Sequence, residues 1–191
     1  MAVEQLIQFD RSLFVQINSS WTSSLADAFF PAITDLHRNP YFISVLALSL
    51  GIWVWKRRGY ALRWIVALII SVSLSDLIAY RVIKANVSRE RPPQAGVEIV
   101  IRGQKHTGNS FPSNHAANMF AAAMTISGAS PAIGVPLFIA AGLVAYSRVY
   151  VGAHFPMDVM GGAALGILIA ALVRILLGRW LKAPPLKLPE S

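Results

Sequence analysis

Three separated groups of polar residues stand beside apolar segments of this chain. They read K-x6-R-P at positions 84–92, P-S-N-H at positions 112–115 and S-R-x5-H-x3-D at positions 147–158. Together they supply three cations, two histidines and a carboxylate. This set of residue types is what the breaking of a phosphate ester without a metal requires.

The third group has the most specific spacing. His154 and Asp158 lie four residues apart across Pro156, which the first turn of a helix accepts, so the carboxylate can hold the imidazole ring. A carboxylate in that place fixes the tautomer of His154 and leaves its other nitrogen free to attack. The alternative is a buried His–Asp pair with a purely structural role.

The other two groups are less specific when each is taken alone. Lys84 and Arg91 can be charges that extend from the end of a membrane helix toward water. The P-S-N-H group can be only a helix start, with Ser113 or Asn114 as the capping residue. A helix start also presents free N–H groups to an anion, so capping and phosphate binding are compatible.

Long apolar blocks form the elements that must position these groups. Of 191 residues, 55% are hydrophobic and 14% are charged, which is more apolar surface than one soluble core of this length needs. We predict an all-α fold, a multi-span transmembrane helix bundle with five clear spans, a sixth span as an alternative, and an amphipathic N-terminal helix at 3–17. The predicted spans are residues 41–55, 61–83, 115–128, 131–151 and 157–177.

Two features lie inside the predicted spans. Gly162 and Gly166 match the small-xxx-small spacing that lets helix backbones approach closely. Asp76, Tyr80 and Lys84 share one helix face at i, i+4 and i+8, so Tyr80 and Asp76 are candidate supporting residues for Lys84. The alternative is that Asp76 pairs with a neighbouring helix, as charged groups inside a membrane usually do.

The distribution of Lys and Arg orients the spans. The basic residues 56–58 and the basic tail with Arg179, Lys182 and Lys187 indicate the cytoplasmic side. If both face the cytoplasm, alternation of the spans places all three polar groups at the opposite surface. We therefore predict a multi-pass protein of the cell (inner) membrane with its site on the extracytoplasmic face. Orientation and phosphate binding explain the net charge of +8, so no nucleic-acid partner is expected.

Taken in this order, the three motifs resemble those of the type 2 phosphatidic acid phosphatase family. These are membrane lipid phosphatases related to vanadium-dependent haloperoxidases and bacterial class A acid phosphatases. The resemblance covers roughly residues 78–173. It implies a phosphate site formed by the following side chains and one backbone N–H: Lys84, Arg91, Arg148, Ser113 and the N–H of Asn114. The family usually has Gly where this chain has Asn114.

The same resemblance implies three catalytic residues. His154 is the expected nucleophile, Asp158 the carboxylate that orients it, and His115 the acid that protonates the leaving oxygen. The expected enzyme is an integral membrane phosphatase that acts through a phosphohistidine on a lipid phosphate or pyrophosphate. Undecaprenyl pyrophosphate, phosphatidylglycerophosphate, phosphatidate and lipid A phosphate are the candidate substrates, and the loop at 93–109 is the expected selector among them.

No metal and no other cofactor is expected. Three fixed cations match the negative charge that spreads over a transferring phosphoryl group, and the other two histidines, His37 and His106, have no carboxylate at ligand spacing. The expected partners are the lipid phosphate substrate and the bilayer. A non-catalytic phospholipid-binding membrane protein and a vanadate-dependent haloperoxidase-like enzyme are the alternative functions.

The chain is predicted to divide into three parts. Residues 1–38 form amphipathic or interfacial helices, residues 39–183 form the transmembrane phosphatase domain, and residues 184–191 form a Pro-rich cytoplasmic tail. No cysteine occurs, which excludes disulfides, thiol chemistry and a cysteine-ligated metal.

Overall fold

The computed structural model describes residues 1–104 and 106–182, apart from the side chain of His37. Over these residues the fold is all helical and contains no strand, in agreement with the predicted fold class. The predicted Pro-rich tail at 184–191 and Lys105 of the predicted selector loop lie outside the described residues.

Eight α-helices and four short turns of other helical types follow one another along the described chain. The α-helices are α1 (Ala2–Val15), α2 (Ser24–Thr34), α3 (Pro40–Leu77), α4 (Lys84–Asn86), α5 (Asn114–Ala129), α6 (Pro131–Tyr150), α7 (Pro156–Leu176) and α8 (Gly178–Lys182). The π-helical turns are Gln16–Ser20 and Ile78–Ile83, and the 3₁₀ turns are Leu36–Arg38 and Pro92–Gln94.

Helix α3 is broken at Arg58, whose backbone has φ 31° and ψ −113°. Phe42 and Asp76 line one cavity on opposite sides of this break, whereas a straight helix would hold them about 50 Å apart at ~1.5 Å per residue. Trp53 and Trp64 also pack in one apolar cluster across it. The chain therefore folds back at Arg58, and the two halves of α3 run in opposite directions.

Three helical stretches are long and apolar enough to cross a membrane: Pro40–Asn86, Pro131–Tyr150 and Pro156–Leu176. The first contains the predicted spans 41–55 and 61–83 on either side of the break, and the other two correspond to the predicted spans 131–151 and 157–177. The predicted span 115–128 lies in α5, which has 16 residues. The count of five or six spans stays a prediction.

Helices α5 and α7 approach each other along the two glycines predicted to permit it. A Cβ atom at Gly162 would lie 2.4 Å from the carbonyl oxygen of Ser113, and one at Gly166 would lie 2.1 Å from that of Ala117. Neither position has room for a side chain. The prediction of close helix packing from the small-xxx-small spacing is confirmed.

The N-terminal helix α1 covers the region predicted to be amphipathic and also packs against the bundle. Leu6 is exposed, whereas Phe14 is fully buried and belongs to the same apolar cluster as Val149 and Phe155. The rings of Phe14 and Phe155 meet edge to face with their centroids 5.2 Å apart. Protein contacts therefore fix this helix beside α7, in addition to any contact with the interface.

Candidate active site

The three motifs meet around one cavity of about 440 Å³. Three cations and three histidines line it: Lys84, Arg91, Arg148, His106, His115 and His154. Among the described residues that line the cavity there is no carboxylate. The cavity is therefore strongly basic and suits an anion.

Lys84 reaches the cavity from the single turn α4, directly after the π-helical end of the α3 stretch. Its Nζ donates to the carbonyl oxygens of Asn109 at 3.0 Å and Ser110 at 3.4 Å. The side chain of Asn109 in turn donates to the carbonyl oxygen of Lys84 at 2.6 Å. This exchange fixes the end of the loop that carries P-S-N-H against the first motif.

Arg91 is buried and spreads its guanidinium over backbone carbonyls. Nε donates to the carbonyl oxygens of Thr107 and Gly108, both at 3.2 Å, and Nη1 donates to that of Ala153 at 2.9 Å. Nη1 also lies 3.1 Å from Nε2 of His154. Burial lowers the pKa of Arg91, against the opposite effect of Asp158.

His154 is held from both sides of its ring. Because an arginine can only donate, Nε2 accepts from Arg91 and the ring proton is assigned to Nδ1. Nδ1 lies 3.6 Å from Oδ2 of Asp158, beyond hydrogen-bond length, and 3.4 Å from Oγ of Ser110. The Ser110 hydroxyl donates to the same Oδ2 at 2.5 Å. Ser110 thus bridges the predicted histidine and carboxylate.

Burial keeps His154 neutral. It lowers the pKa of His154 to about 3, and the neighbouring carboxylate of Asp158 opposes it only in part. A neutral imidazole whose proton is on Nδ1 has its lone pair on Nε2, which faces the cavity. That is the protonation state of a nucleophile.

Asp158 is fully buried at the start of α7 and receives several donors. Besides Ser110, the backbone N–H of Phe155 donates to Oδ2 at 2.8 Å, and Nη1 of Arg89 donates to Oδ1 at 2.7 Å. Arg89 also pairs with the buried carboxylate of Asp10 in α1. An ion-pair chain therefore joins the N-terminal helix to the carboxylate behind His154.

Arg148 comes from the last turn of α6 and is 2% exposed. Nη1 donates to Oγ1 of Thr34 at 2.7 Å, and Nη2 donates to Nε2 of His106 at 2.9 Å. Burial, followed by the charge of Arg148, lowers the pKa of His106 to about 4, so this ring is a neutral acceptor. Nε of Arg148 is buried with no partner among the described residues, which leaves a donor for an anion.

The start of α5 is built differently from the predicted phosphate loop. Ser113 is buried, caps the helix by accepting from the N–H of Ala116 at 3.5 Å, and does not line the cavity. Asn114 begins the helix without a positive φ, so its backbone is ordinary for any residue. Its side chain donates to Oδ1 of Asp76 at 2.8 Å. A phosphate-binding role for Ser113 stays a prediction.

Asp76 pairs with a neighbouring helix, which was the alternative to its supporting Lys84. Its Oδ1 accepts from the side chains of Asn114 and of Asn118 at 2.8 and 3.1 Å, both in α5. Tyr80 lines the cavity together with Lys84 and has the guanidinium of Arg81 5.8 Å from its ring centroid. Tyr80 lies in the π-helical turn Ile78–Ile83, where residues four apart no longer share one α-helical face.

Sequence reasoning missed several residues of the site. Arg89 is one of the unspecified positions of K-x6-R-P and Asp10 stands outside the motifs, so only the ion pair between them in the structure identifies both. Ser110 lies two residues before P-S-N-H, and a hydroxyl so close to the motif was the one available signal. No group of three His, Asp or Glu residues in the described part of the chain is placed to hold a metal ion.

The chain matches the family model described as PAP2 superfamily over residues 60–182. It is 30% identical over 172 residues to a lipid A 4'-phosphatase of Bacteroides thetaiotaomicron, covering 86% of this chain and 75% of that protein. It is 32% identical over 171 residues to an undecaprenyl-diphosphatase of Sulfolobus acidocaldarius, covering 88% and 79%.

Two solved structures have the same fold. Aquifex aeolicus LpxE superposes with a TM-score of 0.69 at 30% identity, over 85% of this chain and 92% of that one. A PAP2-type phosphatidylglycerolphosphate phosphatase from Bacillus subtilis superposes with a TM-score of 0.61 at 24% identity, over 93% and 87%. The second likeness concerns the fold alone.

Proposed function

Because the chain belongs to the PAP2 superfamily and is a membrane lipid phosphatase, we propose that it cleaves a lipid phosphate or pyrophosphate through a phosphohistidine on His154. One observation carries the proposal. A cavity lined by three cations and, within the described residues, no carboxylate contains a neutral histidine whose lone pair faces inward. Such a cavity attracts a phosphate and offers a nucleophile at the same point.

In the first step, Lys84, Arg91 and Arg148 hold the nonbridging oxygens of the phosphate. Nε2 of His154 attacks phosphorus, the bond from phosphorus to the lipid oxygen breaks, and His115 gives its proton to that oxygen. The imidazole then carries a positive charge. Asp158, through Ser110 and at 3.6 Å from Nδ1, stabilises that charge.

In the second step, water attacks phosphorus and the P–N bond breaks. His115 takes the proton of the water, and inorganic phosphate leaves. The same three cations hold the oxygens in both steps, because both pass through the same distribution of negative charge. Arg89 holds the Asp158 carboxylate in place from outside the cavity.

A second cavity of about 420 Å³ supports the assignment of His115 as the acid. It shares Asn114 and His115 with the basic cavity and has largely apolar walls that include Ile33, Phe42 and Met119. We place the first part of the lipid chain there. His115 then stands between phosphate and lipid, beside the oxygen that must be protonated.

The substrate belongs to the class of phosphorylated membrane lipids. Relatives are named as a lipid A 4'-phosphatase and an undecaprenyl-diphosphatase. A lipid A phosphate and a lipid pyrophosphate therefore both remain candidate substrates. The loop at 93–109 supplies His106 and Thr107 to the cavity wall, and Arg102 ties it to Asp27 at 2.6 Å. This loop is the proposed selector.

The test is phosphate release by purified protein from four lipids: undecaprenyl pyrophosphate, phosphatidylglycerophosphate, phosphatidate and lipid A. We expect activity on at least one, inhibition by vanadate, which can take the five-coordinate shape of the transferring phosphoryl group, and no inhibition by EDTA. Activity that EDTA abolishes and Mg²⁺ restores, or no release from any of the four, would contradict the proposal.

A further inference from the structure

A cavity of about 570 Å³ lies at the end of the bundle opposite the active site. It opens between the second half of α3, the end of α5, and helices α7 and α8. Trp64 lines it, and Lys84 follows roughly twenty residues later on the same helical stretch, about 30 Å away at ~1.5 Å per residue. The two sites are therefore separate.

Contacts between elements give this end a defined shape. Oη of Tyr60 donates to the carbonyl oxygen of Ala129 at 3.0 Å, which joins α3 to the turn between α5 and α6. Nη1 of Arg63 donates to the carbonyl oxygen of Trp180 at 2.9 Å, which joins α3 to α8. The cavity is thus bounded by fixed helices.

The charge at this end has one sign. The segments that form it, residues 50–70, 122–134 and 170–182, contain no Asp or Glu. They contain seven cations: Lys56, Arg57, Arg58, Arg63, Arg174, Arg179 and Lys182. Arg174 and Lys182 line the cavity itself. A site with these neighbours favours an anion.

Several donors in the cavity wall make no hydrogen bond to any of the described residues. Nε1 of Trp64, a residue that is only 6% exposed, is buried with no hydrogen-bond partner among the described residues. Arg174 uses Nη1 for the carbonyl oxygen of Met124 at 2.9 Å and for Ser127 Oγ at 3.3 Å. Its Nε and Nη2 make no hydrogen bond within the described chain. A Cβ at Gly128 would lie 2.6 Å from both Arg174 Nε and the Trp64 ring, so glycine keeps these groups accessible.

The remaining wall is apolar and continues to the outer surface of α7. Ala171 and Ile175 line the cavity, and Ile175 is 77% exposed. A free inorganic anion gains nothing from such a wall, whereas a phosphate attached to acyl chains gains from both parts. We propose that this cavity binds the phosphate headgroup of an anionic phospholipid, with its acyl chains against α7. The site is independent of the proposed reaction.

The test measures lipid binding by native mass spectrometry of the detergent-solubilised protein, titrated with phosphatidylglycerol or with phosphatidylcholine. We expect tighter binding of phosphatidylglycerol. Lys182→Gln should weaken it about fivefold, the effect of one cation near a headgroup, and Arg174→Gln at least about tenfold, because a charge-assisted hydrogen bond is lost as well. Arg57→Gln is the matched control, since it removes the same charge at the same end without lining the cavity.

Three results would overturn the proposal. The first is equal binding of the two lipids. The second is an equal loss in Arg57→Gln and Lys182→Gln, which would indicate general surface charge. The third is displacement of the lipid by millimolar inorganic phosphate, which would indicate a site for free anions. Phosphatase activity in detergent should be unchanged in Lys182→Gln. Because the Lys182 side chain is exposed, its binding result stands even if Arg174→Gln fails to fold.

Discussion

At the scale of single residues, the nitrogen of His154 that faces the cavity accepts a hydrogen bond from Arg91. In the proposed mechanism, attack on phosphorus needs the same lone pair. We therefore expect Nη1 of Arg91 to pass from the ring to a phosphate oxygen as the substrate binds. The bonds from Nε of Arg91 to the carbonyl oxygens of Thr107 and Gly108 can hold the guanidinium during that exchange. In the proposed mechanism, Arg91 would thus bind the nucleophile before the substrate arrives and the phosphate afterwards.

Replacing each of the two predicted catalytic histidines should impair the reaction in a different way. His154→Ala should abolish turnover and any covalent phosphoenzyme. His115→Ala should slow the first step by a factor on the order of 10² to 10⁴ for a lipid alcohol, the usual loss for a general acid. With p-nitrophenyl phosphate, whose leaving group needs no proton, that deficit should shrink. Equal deficits on both substrates, measured by rapid-quench kinetics, would contradict the assignment.

Arg89 should act on catalysis through Asp158, because it does not line the cavity. Arg89→Gln leaves the carboxylates of Asp10 and Asp158 without their shared cation, and we expect kcat to fall about 10- to 100-fold with KM little changed. Arg89→Lys should restore part of kcat. Arg102→Gln, which breaks the ion pair with Asp27 away from His154, is the control, and an equal loss there would indicate a merely structural effect.

The pH dependence of stability should carry the signature of two neutral histidines in the active-site cavity. The folded pKa values, about 3 for His154 and about 4 for His106, lie below the value of ~6.5 in an unfolded chain. The unfolded chain therefore binds more protons, so this stability is fully present above about pH 6.5. It is lost as the pH falls toward about 4 for His106 and about 3 for His154. We expect Tm to fall over that window, and His106→Asn to weaken its pH dependence. An unchanged slope would refute the contribution of His106.

The motif residues could be identified from the sequence because each is defined by type and spacing within one segment. The resemblance they carried is confirmed by the family match over 60–182. Arg89 and Asp10 could not be identified, since their roles arise from contacts between residues that lie far apart in the chain. The Ser113 side chain accepts from the N–H of Ala116 in its own helix. The motif alone does not decide between this capping role and phosphate binding.

At the scale of elements, the contact between α5 and α7 sets the distance between the two predicted catalytic histidines, because His115 lies in the first turn of α5 and His154 lies two residues before α7. Gly166→Ala places a methyl group 2.1 Å from a backbone carbonyl and should destabilise the protein by about 1–3 kcal/mol. Activity should fall as well. Gly142→Ala, in α6 with nothing within 4 Å of the new atom, is the matched control for thermal unfolding. Equal Tm values for the two variants would contradict the packing argument.

Apolar periodicity and turn residues predicted α6 and α7 nearly to the residue, because prolines begin both helices. The sharp reversal at Arg58 was placed correctly by the basic run around it. Its positive φ in a non-glycine residue was not predictable, since nothing in the residue types around Arg58 requires it. The π-helical turn at 78–83 also has no sequence signal, and it changes which residues share a face with Lys84.

At the scale of the whole molecule, we propose that the basic cavity opens on the extracytoplasmic side, with the run at 56–58 inside. The chain has no cysteine, so single cysteines can report each surface. In intact cells, a cysteine replacing the exposed Gln94 should react with an impermeant thiol reagent, and one replacing Gly59, whose Cβ has open space, should not. Both should react after permeabilisation. The opposite pattern in intact cells would reverse the orientation.

The bond between Asn114 and Asp76 constrains the order in which this sequence can diverge. A glycine at 114, the usual residue in the family, would leave Asn118 as the donor to the Asp76 carboxylate that remains within the described part of the chain. In a protein with glycine at 114, a carboxylate at 76 is therefore less well compensated. Loss of Asp76 before loss of Asn114 avoids a state in which the carboxylate lacks this donor. We therefore expect residues 76 and 114 to change together among relatives.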